Sequence, residues 1–198
     1  TVHAQDGRLT GRCEVVPDAD IAGQWLVQAV ADGAPRWFSV RSDAPGAQRL
    51  AYPLLDGRGA ATLTFDGCEA EALDRGHSPH PAWLGALACA ADAVGAMEAG
   101  LALTLDHLKT RRQFGVPIGS FQVLQHRAVD QHLRLAESRA VLAQAVQALQ
   151  QEAAHTAREV HAAKAFIGEQ SRLLLQEAVQ SHGGIGITEE YALSHYLR

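Results

Sequence analysis

The sequence predicts an α+β protein: a partial antiparallel β domain over residues 1–75, then a C-terminal up-down four-helix bundle over residues 76–198. Three observations carry this. Short apolar segments punctuated by Asp-Gly and Pro-Gly fill the first part, as in antiparallel strands. From Ser78 the apolar period changes from two to about 3.6. Two dense turns, 111–122 and 180–191, then interrupt the helical pattern with glycines, aromatics and charge.

Taken in order, Thr1-Val2-His3-Ala4-Gln5 reads as a strand, and Asp6-Gly7 as a hairpin turn into Arg8-Leu9-Thr10-Gly11-Arg12. Asp32-Gly33 joins Trp25–Val30 to Trp37–Val40 in the same way. Ala44-Pro45-Gly46 and Asp56-Gly57-Arg58-Gly59 punctuate the next two segments, and Ala61–Phe65 is expected to stop at Asp66-Gly67. Ser78-Pro79 has the form of an N-cap with proline at the first helical position. The first helix is expected to run to about Arg112 on a stripe of Leu84, Leu87, Ala91, Val94, Leu101, Leu105 and Leu108. The second should start at Ser120, with Leu124, Ala128, Leu135, Leu142, Val146 and Leu149 inward. Thr156-Ala157-Arg158-Glu159 has the capping-box form for the third, whose stripe is Val160, Ala163, Ile167, Leu174 and Ala178. Gly183-Gly184 should end it, and Thr188 should cap a fourth helix with Glu189 and Glu190 in its first turn.

The bulk numbers bound the function. A net charge of −5 argues against nucleic acid as the main partner, so any anion must meet a local arginine cluster. Three widely spaced cysteines without a CxxC pair predict neither a zinc site nor a disulfide frame, and point to the cytoplasm. No signal-peptide pattern opens the chain, and no run of apolar residues is long enough for a membrane span. The strand-like start without Met and the helical stop at Tyr196-Leu197-Arg198 suggest a longer polypeptide. His77 and His80 lack an acidic or thiol partner nearby and are read as solvated loop residues; no metal site is expected. His155 and His161 are read as surface residues, and Cys89 as core.

The two turns carry the chemistry. Arg111-Arg112 could simply be cations at a helix C-terminus, but Gln113-Phe114-Gly115, Pro117-Ile118 and Phe121-Gln122 make a richer pattern than that role needs. A guanidinium pairs with phosphate oxygens through parallel hydrogen bonds and keeps its charge. Gly183-Gly184-Ile185-Gly186 is not a dinucleotide-binding fingerprint of the strand-following kind, because it follows a helix.

Thr110-Arg111-Arg112-Gln113-Phe114-Gly115 with Pro117-Ile118 and Phe121-Gln122 resembles a signature turn of the acyl-CoA dehydrogenase family. Gln180-Ser181-His182-Gly183-Gly184-Ile185-Gly186 with Thr188-Glu189-Glu190-Tyr191 resembles its second signature. Asp56-Gly57-Arg58 and Thr64-Phe65-Asp66-Gly67 fit the preceding sheet, and the run 113–130 is most similar to small subunits of bacterial pimeloyl-CoA dehydrogenase-like enzymes. The resemblance implies an FAD enzyme that oxidises the Cα–Cβ bond of an acyl-CoA thioester and passes electrons to a flavoprotein acceptor. It implies a homodimer, homotetramer or heteromer with a homologous subunit, with FAD shared across the interface. Arg111 then meets the FAD pyrophosphate, Gln113 and Phe114 lie beside the cofactor, and Gln122 shapes the turn. Gln180, Gly183 and Gly184 meet the adenosine-diphosphate part, and Thr188 and Glu189 begin the flavin-facing loop. The family's helical N-terminal domain has no counterpart in residues 1–198, and its usual catalytic glutamate falls beyond Arg198; the alternative position matches Gly85, which cannot be a base. A non-catalytic partner subunit and an oxygen-using relative, such as an acyl-CoA oxidase or nitroalkane oxidase, remain open alternatives. His182 stands where many relatives have Phe, and is read as a flat ring for packing.

Overall fold

The computed structural model describes residues 1–73 and 81–197. The Ser78-Pro79 cap, His77, His80 and Arg198 therefore lie outside the described residues. The chain forms two compact units, Thr1–Ser78 and Pro79–Arg198.

The first unit is a seven-stranded sheet in the order β5-β6-β2-β1-β3-β4-β7. Its strands are β1 (Val2–Gln5), β2 (Arg8–Pro17), β3 (Gln24–Ala31), β4 (Ala34–Arg41), β5 (Ala47–Pro53), β6 (Gly59–Glu69) and β7 (Glu71–Ala72). Both Asp-Gly hairpins form, with positive φ at each turn residue: 51° and 74° at Asp6-Gly7, 52° and 75° at Asp32-Gly33. That handedness matches the twist of the flanking strands. The sheet is not wholly antiparallel: β1 meets β3 in parallel at His3 and Val30, a nonlocal pairing that no turn signal encodes. Nor does the strand after Ala61 stop at Asp66-Gly67. β6 continues to Glu69 through a bulge there, since Leu9–Gly11 of β2 faces the longer stretch Phe65–Cys68. The buried Trp25, Val27 and Ala29 alternate with exposed neighbours along β3, and Val2, Leu9, Phe38, Val40, Leu63 and Phe65 complete the core.

The second unit is built on α1 (Pro81–Thr110), α2 (Gln122–Gln150) and α3 (Thr156–His182), which run up, down and up. The buried side chains of α1 at Leu87, Ala90, Val94, Met97, Leu101, Thr104 and Leu108 follow steps of three and four and make one narrow seam, with Gly100 buried beside it. This seam is turned from the expected stripe: Leu84 and Ala91 are exposed, and Ala90, Met97 and Thr104 replace them. Alanine abundance leaves several apolar faces available, and packing selects one. By length and hydropathy α1 could also cross a bilayer, but its seam packs against α2 and α3 as the bundle's central contact. All five residues expected inward on α3 are buried.

Three boundaries differ from expectation. α2 starts at Gln122, after a short 3-10 turn over Ile118–Ser120. Thr156 is not an N-cap: its hydroxyl donates to the Ala148 and Ala153 carbonyls, and Glu159 engages Arg158 and Gln144 instead. The fourth helix is replaced, among the described residues, by 3-10 segments at Gly183–Ile187 and Ala192–Leu197. Thr188 turns its hydroxyl back to the Ile185 carbonyl at 3.0 Å and closes the first of these rather than opening a helix.

Candidate cofactor-binding end of the helical unit

The first turn is a closed loop. The Arg111 N–H donates to the His107 carbonyl at 2.9 Å, continuing α1 by one bond, and the Arg111 carbonyl accepts from Ile118 N–H at 2.8 Å. Between them, β8 (Arg112–Gln113) and β9 (Val116–Pro117) form a small antiparallel ladder. Phe114 and Gly115 make its tip, at φ 53° and 83°. Glycine accepts that geometry; a Phe there is costly. Phe114 is 91% exposed, and its ring meets that of Phe121 edge-on, with centroids 6.1 Å apart. Arg112 is used by the turn itself, donating to the Gly115 carbonyl at 2.9 Å, while the Gln113 amide donates to the Arg112 carbonyl. The Arg111 guanidinium is exposed and forms no hydrogen bond or ion pair among the described residues. Gln122 opens α2 in an exposed position.

At the second turn Gly183 ends α3 at φ 66°, its N–H bonded to the Val179 carbonyl. Gly183 and Gly184 are exposed, and a Cβ built on either meets nothing within 4 Å. Gly186 instead packs under the last turn of α3, where a Cβ would come 3.0 Å from that of His182. Gln180 is exposed one turn earlier, and Glu189 is exposed with His195 at 4.0 Å.

Because α1 and α3 run the same way, both turns fall at one end of the bundle. A ring cluster joins them there. His182 is buried and stacks on His107, centroids 4.4 Å apart and planes 29° apart; the Tyr191 ring lies tilted against it at 5.1 Å. His182 Nδ1 lies 2.8 Å from the Ala178 carbonyl, which can only accept, so Nδ1 carries the proton. Nε2 then accepts from the Tyr191 hydroxyl at 3.2 Å. Burial holds the His107 imidazole below its ordinary pKa, helped by the neighbouring His182 ring and the Arg111 guanidinium and opposed by Asp106. Burial likewise pushes the Tyr191 phenol up, with Asp106 adding to it.

The expected flat-ring role of His182 is thus present. His107 was missed, although it sits one turn before Arg111 on the same helical face. The other expected residues divide into two groups: Arg111, Gln113, Phe114 and Gln122 on the first turn, and Gln180, Gly183, Gly184, Thr188 and Glu189 on or beside the second. An unpaired guanidinium, an open glycine turn and a presented aromatic ring suit a flat ligand carrying phosphates.

Comparison with known proteins places the chain in a family. The model of the acyl-CoA dehydrogenase C-terminal domain matches residues 84–198. Acyl-CoA dehydrogenase IpdE2 of Mycobacterium tuberculosis is 41% identical over 115 residues, covering 57% of this chain and 34% of that protein. Acyl-CoA dehydrogenase FadE27 of the same organism is 28% identical over 201 residues, covering 96% of this chain and 54% of that protein. Among solved structures, a Tcur3481-Tcur3483 steroid ACAD variant matches with a TM-score of 0.91 at 31% identity, covering 99% of this chain and 55% of that one. The ChsE4-ChsE5 complex from Mycobacterium tuberculosis gives 0.86 at 28% identity, covering 99% and 56%. The chain therefore spans about a third to a half of these curated relatives and about half of these solved chains. With both signature turns inside a family match that covers more than half the sequence, the chain belongs to the acyl-CoA dehydrogenase family.

Proposed function

We propose that the protein containing this chain is an FAD-dependent acyl-CoA dehydrogenase, and that this end of the helical unit binds the diphosphate side of the cofactor. The observation that carries the reading is the pairing, at one end of the bundle, of the unpartnered Arg111 guanidinium with the open Gly183-Gly184 turn. When bound, FAD supplies hydride acceptance for oxidation of the Cα–Cβ bond of an acyl-CoA thioester. Arg111 clamps pyrophosphate oxygens through its planar fork. Gly183 and Gly184 let the backbone approach closely, and Phe114 offers its ring face. Gln113, Gln122 and Gln180 supply amides at the edges of the site, and Thr188 and Glu189 lead the chain toward the flavin.

The partners we propose are an acyl-CoA substrate, a flavoprotein electron acceptor, and a second subunit, identical or homologous. Exposed Val123, Val129 and Leu133 on α2 support the subunit contact. A cytoplasmic setting fits three free cysteines.

A second reading, a non-catalytic partner subunit in a heteromer, draws support from the acids of this chain. Asp92, Glu98, Glu189 and Glu190 are all exposed; Glu98 is committed to Arg139 at 2.6 Å and Glu189 faces His195. The ChsE4-ChsE5 relative, described as a complex, also favours it. The test is anaerobic addition of acyl-CoA esters to the full-length protein, alone and with any co-purifying subunit. Bleaching of flavin absorbance by the protein alone supports the enzyme, and bleaching only with the second subunit supports the partner reading. A full-length protein that takes up no FAD in either form overturns both.

A further inference from the structure

We infer that His182, stacked on His107 and held by Tyr191, is a positioning residue that fixes the Arg111 turn and the Gly183-Gly184 turn relative to one another for cofactor binding. The inference rests on the FAD reading above and adds to it the means by which the two turns are aligned.

The geometry is specific. His182 is the last residue of α3 and immediately precedes Gly183. Its ring lies 4.4 Å from that of His107, whose own carbonyl accepts the Arg111 N–H. A displacement of the His182 ring is therefore transmitted to Gly183 through one peptide bond and to Arg111 through one stack and one hydrogen bond. Both ring nitrogens of His182 are occupied, by the Ala178 carbonyl and the Tyr191 hydroxyl, so its tautomer and ring plane are fixed. Packing alone needs only a flat ring; the two hydrogen bonds add a fixed rotation of that ring.

The His107 ring tolerates positive charge poorly. The groups acting on His107 among the described residues are His182 on α3, and Arg111 and Asp106 at the end of α1. Beyond α3, Tyr191 contributes a neutral phenol, and His195 faces Glu189. On α2, Arg127 is committed to Glu177 of α3 at 3.0 Å, and the Ile118–Ser120 turn brings no ionisable side chain. Protonating His107 adds a cation beside Arg111, the charge meant for the ligand, and burial disfavours it further.

The experiment uses the full-length protein, with any co-purifying subunit, in two arms. The first titrates FAD into cofactor-stripped protein from about pH 7.5 to about pH 5.5, across the imidazole range. The second follows trypsin cleavage after Arg111 and Arg112 at neutral pH without FAD. His182→Ala is expected to weaken FAD binding by about tenfold or more and to speed cleavage at the turn, while His182→Phe restores both by replacing the ring. Wild-type FAD affinity is expected to fall on acidification, and the double variant His107→Phe with His182→Phe to keep its affinity over the same range. Wild-type behaviour of His182→Ala in both arms, or an acid loss in the double variant equal to wild type, overturns the proposal. Should His182→Ala fail to fold, the acid comparison decides alone. If wild type takes up no FAD at any pH, the FAD reading fails and the cleavage arm still reports whether His182 positions the Arg111 turn.

Discussion

Gly119 lies against the end of α1 so closely that a Cβ on it would stand 2.8 Å from the Leu108 carbonyl oxygen. The opposing atom is backbone and cannot rotate away, so the loop closed by Arg111 and Ile118 can seat only glycine at this point. Gly119→Ala is expected to destabilise the helical unit by about 1–3 kcal/mol and to displace the Arg111 turn. Chemical denaturation gives the first effect and flavin content the second. A variant with unchanged midpoint and full flavin would show that the loop has slack there.

Arg111→Ala is expected to remove one charge-assisted partner of the pyrophosphate, about 1.5–3 kcal/mol, or roughly tenfold or more in FAD affinity. Arg111→Lys should recover only part, because an ammonium cannot form the planar fork. The flavin-to-protein absorbance ratio of the purified full-length protein reads this directly. Equal ratios in all three proteins would assign the phosphate contact elsewhere.

Phe114 separates stability from binding. It holds a φ of 53° at the tip of a hairpin with its ring 91% exposed. Phe114→Gly relieves that backbone strain, so folding stability should hold or rise by up to about 1 kcal/mol, while FAD or subunit affinity falls. A loss of stability comparable to a core mutation would mean the ring packs on the fold and not on a ligand.

Ile167 is fully buried in the bundle core between the three helices. Ile167→Ala should cost about 2–5 kcal/mol, transfer and cavity terms together. Urea unfolding followed by helical circular dichroism measures it, and a shift well under that range would show that α3 relaxes into the space.

The depressed His107 pKa sets a pH dependence with a definite sign. The unfolded chain binds the proton more readily than the native one, so stability is full above the ordinary imidazole value of 6.5 and is lost as pH falls below it. His107→Phe should flatten the slope of unfolding free energy against pH in that window. A slope unchanged by the substitution would place the proton uptake on another group.

The hairpins at Asp6-Gly7 and Asp32-Gly33 and the glycine stop at Gly183 were readable in the sequence because each depends on local backbone geometry. The α3 stripe was readable because its apolar residues are few and well spaced. The α1 seam was not, since alanine on several faces leaves the rotation to tertiary packing. Thr188 with two following glutamates has the composition of a helix start, yet its hydroxyl is taken by Ile185 behind it and the segment tightens into 3-10 turns. The parallel contact of β1 with β3 has no local signal at all. At the candidate site the chemistry-bearing residues were legible as types, Arg111 and the glycines above all. What joins the two turns was not: the His107–His182 stack links residues 75 positions apart, and only the folded bundle brings them within reach.

The three helices have nearly equal lengths of 30, 29 and 27 residues. α2 and α3 therefore act as a matched ruler, one leg carrying the chain away from the Arg111 turn and the other returning it to the same height. Removing two helical turns, seven residues, from both legs would keep the two turns level; removing them from one alone would separate them by about 10 Å. Keeping the two turns level therefore requires length changes in α2 and α3 to be paired, a constraint that acts on residue count and is indifferent to which side chains are lost.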